Sequence, residues 1–294
     1  MSAPHCSTEQ SEGILKIVET RILAESQGSR IIRLTVQSPD IASKAKAGQF
    51  VVLMVKEEGE RIPLTIVHAD PQTGTIVLIA QEAGLTTRLL AGLNAGDSLS
   101  SLVGPLGHAT PVKEYGQVVL VGGGVGIAEI YPVAKAMKDA GNRITVIIGS
   151  RTKDLLILEK ELKELSHEFV VMTDDGSSGR KGFVTEALKE ALEKSKYDLV
   201  YAVGPIPMMK AVADVTRSFR VRTLVSLNAL MVDGTGMCGC CRVTVAGKVK
   251  FSCVDGPEFD ASEVDWRELT LRNNIYKDQE RHICRLLASK GQNP

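Results

Sequence analysis

Four of the six cysteines in this 294-residue chain fall within one short stretch, and their spacing constrains the fold more than any other feature. The stretch LNALMVDGTGMCGCCRVTVAGKVKFSC contains the pattern D-x4-C-x2-C-x11-C, formed by Asp233, Cys238, Cys241 and Cys253. Iron–sulfur clusters of the plant ferredoxin type are held by C-x4-C-x2-C and a later fourth cysteine. A carboxylate can also bind iron, although it is a harder donor than a thiolate. The pattern therefore predicts a cluster bound by these four residues.

A structural zinc ion and reduced free thiols are the alternatives that this stretch leaves open. Zinc usually takes four Cys or His ligands, so it would need Cys240 or a distant residue as the fourth. Geometry disfavours the binding of one ion by both Cys240 and its neighbour Cys241. With a cluster in place, Cys240 is an unassigned thiol, and Cys6 and Cys284 are expected to be ordinary thiols.

The overall composition excludes several classes of partner. The 35 basic and 35 acidic residues balance, so there is no electrostatic argument for binding nucleic acid or an anionic membrane. No apolar run reaches the roughly 18–20 residues that span a bilayer. Clustered cysteines without a signal peptide indicate a reducing compartment, so we expect a cytoplasmic protein.

The first third of the chain has the pattern of a small antiparallel β-barrel. After a polar segment over residues 1–13, expected to be a disordered tail, residues 14–113 contain short β-branched runs such as SRIIRLTVQSP and GQFVVLMVK. Turn residues separate these runs, and LTTRLLAGL is the one segment with a helical pattern. We predict a barrel domain over residues 14–113.

The periodicity changes in the middle of the chain. Over residues 114–224, apolar strands such as VVLVG and RITVIIG alternate with helical patterns, among them KDLLILEKELKEL. Strands that alternate with helices predict a doubly wound parallel sheet. A small cluster-binding domain over residues 225–262 and a helical extension over residues 263–294, packed on a partner or another domain, complete the prediction.

A glycine-rich turn at the start of the second domain indicates nucleotide binding. In VGGGVGIAEI the backbone can approach a pyrophosphate, and the helix that follows favours negative charge at its N-terminus. The G-x-G-x-x-G/A fingerprint does not fit in any register, and a purely structural turn is the alternative. Other strand ends fall on the same edge of the sheet. The alternative for the arginine there is a solvated surface charge, and for the aspartates a role in a turn or helix cap. The candidate nucleotide-binding residues are Gly122, Gly123, Gly124, Val125, Gly126, Ser150, Arg151, Asp174, Asp175, Gly204 and Pro205.

Two segments of the barrel suggest a cradle for a diphosphate-containing cofactor. One is RIPLT, with an arginine and a strand hydroxyl, and the other is GLTT at the start of the helix. Thr65 can bring its hydroxyl close to a flavin ring nitrogen and tune its electronics. Thr86 has an alternative role as an N-cap. The candidate residues are Arg61, Pro63, Leu64, Thr65, Gly84, Thr86 and Thr87.

Barrel, nucleotide domain and cysteine loop together resemble the ferredoxin–NADP⁺ reductase superfamily over residues 14–270. Within it, the chain is similar to the electron-transfer subunits of dihydroorotate dehydrogenase B. It is still more similar to the small subunits of NADH-dependent reduced ferredoxin:NADP⁺ oxidoreductases, also called sulfide dehydrogenases. The most specific marker is MVDGTGMCGCC…CVDGPEFD, because those small subunits bind a [2Fe–2S] cluster by one Asp and three Cys. Two motifs depart from the superfamily. In R-x-Y-[ST], Arg61 lies one residue early and Leu64 replaces the aromatic residue, and C-G-P appears as Val203-Gly204-Pro205.

The resemblance implies an NAD(P)H-dependent iron–sulfur flavoprotein oxidoreductase that is one subunit of a heteromeric complex. Its implied cofactors are FAD, a [2Fe–2S] cluster and NAD(H), with NADP(H) as the alternative nucleotide. Hydride would pass between nicotinamide and FAD, and single electrons would pass through the cluster to a larger Fe–S flavoprotein subunit, and so indirectly to ferredoxin, by electron bifurcation. No side chain is expected to act as a catalytic acid or base, because the cofactors carry the chemistry.

Three other functions are compatible with this sequence. The first is the dihydroorotate dehydrogenase B electron-transfer subunit, in which the first cluster ligand is ordinarily cysteine, so that Asp233 argues against it. The second is a stand-alone NAD(P)H reductase that needs no large subunit. The third is a nucleotide-binding interaction module with a structural zinc ion, which would not be an enzyme.

Overall fold

The structure is a computed structural model that describes residues 15–26 and 28–289. Its first region consists of six strands and two short helices. They are β1 (Ile17–Ser26), β2 (Ser29–Gln37), α1 (Pro39–Ala42), β3 (Phe50–Met54), β4 (Arg61–Asp70), β5 (Thr75–Gln81), α2 (Leu85–Ala91) and β6 (Ser101–Leu106).

These six strands form an antiparallel sheet in the order β1-β2-β5-β4-β3-β6. The sheet closes because β1 also pairs with the segment that leads into β6, where the Ile17 N–H donates to the Asp97 carbonyl at 2.8 Å. Alternate residues of each strand fill the interior, for example Ile32 and Leu34 of β2, which are buried with Leu78 of β5. The predicted antiparallel barrel is confirmed.

The second region alternates strands and helices. They are β7 (Gln117–Gly123), α3 (Gly126–Asp139), β8 (Arg143–Ser150), a 3-10 turn (Lys153–Leu155), α4 (Glu159–Leu165), β9 (Glu168–Thr173), β10 (Arg180–Lys181), α5 (Val184–Lys194), β11 (Leu199–Val203), α6 (Ile206–Phe219) and β12 (Thr223–Ser226).

The strands of this region form a sheet that is buried on both faces. Their order is β10-β9-β8-β7-β11-β12, and all neighbouring pairs are parallel. Helices α3 and α4 cover one face and α5 and α6 the other, which explains why VVLV in β7 is apolar without alternation. The predicted doubly wound sheet is confirmed.

The helix predicted over KDLLILEKELKEL is wrong in its extent. The segment forms the 3-10 turn and then, after a break, the shorter helix α4. Leu158 adopts φ 54°, a left-handed conformation that no regular helix accommodates, and Ile157 beside it is buried against the sheet. Burial of Ile157 therefore overrides the helical propensity of the segment.

The third region contains the cysteine loop. Its elements are β13 (Arg242–Val245), β14 (Lys248–Phe251), β15 (Glu258–Asp260), α7 (Trp266–Asn273) and α8 (Lys277–Ser289). Strand β15 joins the edge of the large sheet, antiparallel to β12, so this region is anchored to the nucleotide-binding sheet. The predicted tail, Cys6 and the side chain of Cys284 lie outside the described residues, and the domain boundaries stay predictions.

The three regions meet around β3, β4 and α3. Outward-facing Val67 and Ile79 of the barrel belong to the same apolar cluster as α3. Phe50 and Val52 of β3 point out of the barrel and pack with residues of the cysteine-loop region, including Met231. No helix in the described part of the chain is long and apolar enough to cross a bilayer.

Candidate functional site

A cavity of about 460 Å³ lies where the three regions meet, and we call it the barrel cavity. Its walls come from β4, the glycine-rich turn, the end of β11 and the segment that precedes the cysteine loop. Among its lining residues are Pro63, Leu64, Thr65, Thr87, Gly123, Gly124, Val125, Gly126, Glu129, Gly204, Pro205, Ser226, Asn228 and Met231. Volume and mostly apolar lining suit the ring system of a flavin.

The candidate residues of the barrel divide into two groups. Pro63, Leu64, Thr65 and Thr87 line the barrel cavity. The Thr87 hydroxyl accepts hydrogen bonds from the backbone N–H groups of Ala83 and Gly84, at 2.9 and 3.0 Å, and so fixes the start of α2.

The other barrel candidates, Arg61, Gly84 and Thr86, are not part of the cavity lining. The Thr86 hydroxyl is buried and donates to Glu60 at 2.6 Å. Arg61 is exposed at the first position of β4 and is not part of the cavity lining. In this structure neither residue is directed at the barrel cavity, and their assignment to a cofactor stays a prediction.

A second cavity, of about 510 Å³, lies over the carboxyl ends of the parallel strands, and we call it the nucleotide cavity. Its lining includes Gly149, Ser150, Arg151, Asp174, Phe183, Thr185 and Met208. Gln81, Gly123, Gly124 and Pro205 line both cavities. The two cavities are therefore neighbours across the glycine-rich turn, and ligands bound in them would meet there.

Glycine is required in the turn because its neighbours are so close. A Cβ at Gly126 would lie 2.7 Å from the Val203 carbonyl oxygen, and a Cβ at Gly123 would collide with the Met208 sulfur. Gly124 has φ 57° and open space around it, and its N–H donates to the Gly149 carbonyl at 2.9 Å. The turn thus presents free backbone surface to both cavities at the start of α3.

The other candidate nucleotide residues differ in their surroundings. Ser150 is buried, and its hydroxyl donates to the Thr152 carbonyl at 2.6 Å. Arg151 and Asp174 are both exposed, and both line the nucleotide cavity. The Asp175 carboxylate accepts from the Ser177 hydroxyl and N–H at 2.6 and 2.9 Å, hydrogen bonds that hold its pKa below the usual value. Asp175 therefore serves a turn in this structure.

Asp233 organises the loop that carries the cysteines. Its two carboxylate oxygens accept hydrogen bonds from the N–H groups of Thr235, at 2.8 Å, and Cys238, at 2.9 Å. These bonds, that from Thr235 first, hold the pKa of Asp233 below its usual value, so the carboxylate is charged at neutral pH. Gly234 has φ 76° and packs against Val52 and Leu106 of the barrel. The loop therefore lies directly on the barrel wall.

Two of the cysteines form a buried pair. The Sγ atoms of Cys241 and Cys253 lie 3.2 Å apart, and both residues are almost inaccessible. Two thiolates on one tetrahedral metal ion at about 2.3 Å would lie about 3.8 Å apart, so a small opening would admit a metal. Burial and the neighbouring Cys241 raise the pKa of Cys253 to about 12, and a bound iron would replace the proton.

The remaining two thiols lie at the rim of the loop. Cys238 is exposed and Cys240 is half-buried, and burial and the Cys238 thiol raise the pKa of Cys240. Among the described residues, no three His, Cys, Asp or Glu side chains converge on one ion position. A [2Fe–2S] cluster takes two protein ligands on each iron. A buried thiol pair, with Cys238 and charged Asp233 on the same loop, fits that requirement.

Sequence reasoning missed several residues of these cavities. Glu129 interrupts the apolar sequence GIAEI directly after the glycines, and this acid in an apolar helix face was the available signal. Phe183, an aromatic residue with 61% exposure, lines the nucleotide cavity. Ser226, Asn228 and Met231 line the barrel cavity through tertiary contacts that no local pattern reveals.

Two protein families match parts of the chain. Residues 228–265 match the iron–sulfur cluster binding domain of dihydroorotate dehydrogenase B. Residues 120–214 match the oxidoreductase NAD-binding domain. The first match contains the cysteine loop, and the second contains the glycine-rich turn.

Named relatives match most of the chain. It is 50% identical over 258 residues to the dihydroorotate dehydrogenase B (NAD(+)) electron transfer subunit homolog of Thermotoga maritima. The alignment covers 87% of this chain and 91% of that protein. It is 34% identical over 260 residues to the dihydroorotate dehydrogenase B (NAD(+)) electron transfer subunit of Geobacillus thermodenitrificans. That alignment covers 85% of this chain and 97% of that protein.

A solved structure is also similar over nearly its whole length. It is the structure of the NADH-dependent reduced ferredoxin-NADP oxidoreductase, which was solved to give insights into flavin-based electron bifurcation. The TM-score is 0.87 at 47% identity, over 93% of this chain and 98% of that chain. These matches confirm the resemblance and the predicted class, an NAD(P)H-dependent iron–sulfur flavoprotein oxidoreductase with FAD, a [2Fe–2S] cluster and NAD(H) as its cofactors.

Proposed function

The chain belongs to the family of dihydroorotate dehydrogenase B electron transfer subunits, and from this we propose that it carries electrons between NAD(H) and a larger Fe–S flavoprotein subunit. FAD, when bound, exchanges a hydride with a nicotinamide and exchanges single electrons with an iron–sulfur cluster. The barrel cavity would hold the flavin ring, the nucleotide cavity would hold NAD(H), and the cysteine loop would hold the cluster.

One observation carries this proposal: the two cavities and the cysteine loop adjoin one another. Gly123, Gly124 and Pro205 line both cavities, so a nicotinamide can reach the flavin there. Met231 lines the barrel cavity only two residues before Asp233. Their Cα atoms therefore lie at most about 7 Å apart. Because electron tunnelling weakens steeply with distance, this arrangement favours transfer between flavin and cluster.

In this proposal the chain itself binds and orients. Thr65 and Thr87 line the barrel cavity, and the backbone at Gly124 would approach the dinucleotide. Arg151 and Asp174 flank the nucleotide on the far side. The proposed cluster ligands are Asp233, Cys238, Cys241 and Cys253. Cys240 is not a ligand in this proposal.

We further propose that the complete complex is an NADH-dependent reduced ferredoxin:NADP⁺ oxidoreductase in which bifurcation takes place on the larger subunit. The carboxylate at position 233 supports this, together with the similarity to the solved structure of that enzyme. This chain would deliver electrons to the larger subunit, which in turn serves ferredoxin. Thiols that must stay reduced to bind iron favour the cytoplasm as its compartment.

A second candidate function is electron transfer to a dihydroorotate dehydrogenase catalytic subunit. The names of the relatives in Thermotoga maritima and Geobacillus thermodenitrificans favour it. Both candidates use the same cofactors, so only the partner subunit and its substrate separate them.

The test is to isolate the chain from its native cells under anaerobic conditions with whatever subunit accompanies it. We expect a larger Fe–S flavoprotein, with NADH-dependent reduction of NADP⁺ that requires reduced ferredoxin. Orotate reduction by NADH in the isolated complex would instead establish the second candidate. A preparation without a larger subunit that is fully active with diffusing acceptors would contradict both.

A further inference from the structure

Glu129 is the one ionisable side chain among the described residues that line the barrel cavity. It lies in the first turn of α3, a 14-residue helix, and is half-buried where this helix packs against β4. Thr65 of β4 lines the same cavity, and its hydroxyl acts to lower the pKa of the Glu129 carboxyl. The pair therefore faces the space that the flavin ring would occupy.

The surroundings of Glu129 contain acids and no cation. No lysine, arginine or histidine in the described part of the chain forms an ion pair with it. The titratable groups that act on it are Glu258 of β15 and Tyr201 of β11, while β4 presents only Thr65. Burial, and to a lesser degree the charge of Glu258, raise the pKa of Glu129 to about 7, against the effect of the Thr65 hydroxyl.

The acids beyond Glu129 stay fixed around it. The Tyr201 hydroxyl donates to Glu258 at 2.8 Å, and the Thr110 hydroxyl donates to the same carboxylate oxygen. Burial raises the pKa of Tyr201 far above its usual value, so its phenol stays protonated. The other oxygen of Glu258 is buried without a partner. Glu129 is therefore the member of this group that both faces the cavity and can change its charge near neutral pH.

Electron transfer through this chain leaves a proton to be moved. A hydride delivers two electrons and one proton to the flavin, whereas a cluster takes only electrons, one at a time. When both electrons have left, the proton received with them must leave the flavin as well. In the reverse direction, a proton must be supplied before a hydride can be returned to NAD⁺.

We propose that Glu129, through the Thr65 hydroxyl, is the group that takes this proton from the flavin and returns it. The inference deepens the proposed function and rests on it, and it replaces the expectation that no side chain acts as an acid or base. With FAD bound, the proton of its reduced N–H group, released as the second electron leaves to a one-electron acceptor, would pass to the Thr65 oxygen. The Thr65 hydroxyl proton would at the same time form an O–H bond on the Glu129 carboxylate. The carboxylic acid then releases its proton to water.

The direction of the pH dependence follows from the charge of Glu129. Below pH about 7 the carboxyl is already protonated and cannot accept a proton; above it, the carboxylate can. Oxidation of the flavin by a one-electron acceptor should therefore accelerate as the pH rises through this range. Return of hydride to NAD⁺ after one-electron reduction should slow over the same range.

The experiment uses the purified full chain with bound FAD and compares wild type with Glu129→Gln, Glu129→Asp and the control Glu161→Gln. Glu161 is exposed on α4, away from both cavities. Stopped-flow reoxidation by ferricyanide is measured from pH 5.5 to 8.5 after reduction with one equivalent of NADH. Redox-difference infrared spectra in H₂O and ²H₂O are recorded on the same proteins.

We expect Glu129→Gln to slow reoxidation at pH 8 by about 100-fold and to abolish the rise of the rate with pH, while Glu129→Asp recovers part of it. A carboxyl C=O band that shifts in ²H₂O should appear in the wild-type difference spectrum and in that of Glu161→Gln, but not in that of Glu129→Gln. The wild-type spectrum without this band overturns the inference, even where Glu129→Gln fails to fold.

The two levels of the proposal fail differently. A wild-type chain whose FAD is not reduced by NADH contradicts the proposed function itself. Suppose instead that NADH reduces the wild type and Glu129→Gln normally, and that Glu129→Gln keeps the wild-type reoxidation rates and pH profile. That result leaves the proposed function intact and overturns only the role of Glu129.

Discussion

At the scale of single residues, Asp233 has one observed role and one proposed role, and substitution can separate the two. Its carboxylate holds the loop by accepting from Thr235 and Cys238, and its position in D-x4-C-x2-C makes it the proposed fourth cluster ligand. An exposed turn aspartate would have the first role alone. The difference lies in whether iron binding depends on the charge and softness of the donor.

We predict that Asp233→Cys retains the cluster with a changed reduction potential, since a thiolate is a softer iron donor than a carboxylate. Asp233→Ala should lose it, with iron content falling from about two per chain to less than about half of that. Asp233→Asn keeps an oxygen that can accept from Thr235 N–H and serves as the matched control for the turn. Iron and sulfide analysis with the visible spectrum measures all three.

The ligand assignment would be refuted by an alanine variant with unaltered iron content and spectrum. An asparagine variant that binds iron fully, beside an alanine variant that does not, would reduce Asp233 to a turn residue.

At the residue scale, the sequence suggests a site where its members are close along the chain. The proposed ligand set lies within one loop, and spacing alone was enough to propose it. Glu129 and Met231 could not be found in this way. They become cavity residues only because β4 lies opposite them, and β4 is remote in sequence. Thr86 and Thr87 look equivalent in GLTT. Only the structure shows that the Thr86 hydroxyl donates to Glu60 and that Thr86 does not line the cavity.

At the scale of elements, the glycine-rich turn brings α3 and the carboxyl ends of β7 and β11 together. Gly123 and Gly126 permit this packing, whereas Gly124 has open space and borders both cavities. Gly141, at the other end of α3, also has positive φ and open space, and it lines neither cavity. The two glycines therefore form a matched pair.

We predict that Gly124→Ala and Gly141→Ala cost similar stability, about 1 kcal/mol each, because both force a Cβ into a left-handed conformation. Only Gly124→Ala should weaken NADH binding, by about tenfold or more, since its Cβ would occupy the surface that the pyrophosphate approaches. Thermal denaturation and NADH titration measure the two effects. Equal NADH affinities in the two variants would show that the turn is structural only.

Element-level prediction was reliable for the type of element and weaker for its extent. Strand-helix alternation was sufficient to predict the parallel sheet, because strands buried on both faces are apolar throughout. The helix predicted over KDLLILEKELKEL failed because burial of Ile157 imposes a left-handed Leu158 between two helical stretches. No local propensity encodes that contact.

At the scale of the whole molecule, β15 explains how the cluster region is fixed. It extends the nucleotide-binding sheet beside β12, and its Glu258 accepts hydrogen bonds from Tyr201 of that sheet and from Thr110, which follows the barrel. Gly234 packs against the barrel at the same time. The cluster loop is therefore held against both other regions.

The relative placement of the regions could not be derived from sequence composition or periodicity. Each region is recognisable from its own pattern, but the barrel cavity is formed by residues from all three. The resemblance to a reductase superfamily supplied that arrangement, and the apolar contacts of Phe50, Val52 and Met231 give its physical cause.

The most direct test of the account is an anaerobic NADH titration of the purified chain, after its iron, acid-labile sulfide, zinc and flavin have been quantified. We predict about two irons, two sulfides and one FAD per chain. NADH should then bleach the flavin absorption and produce the paramagnetic resonance signal of a reduced [2Fe–2S] cluster in the same sample. Zinc without flavin, or a flavin that NADH reduces while the cluster stays oxidised at every NADH concentration, would contradict it.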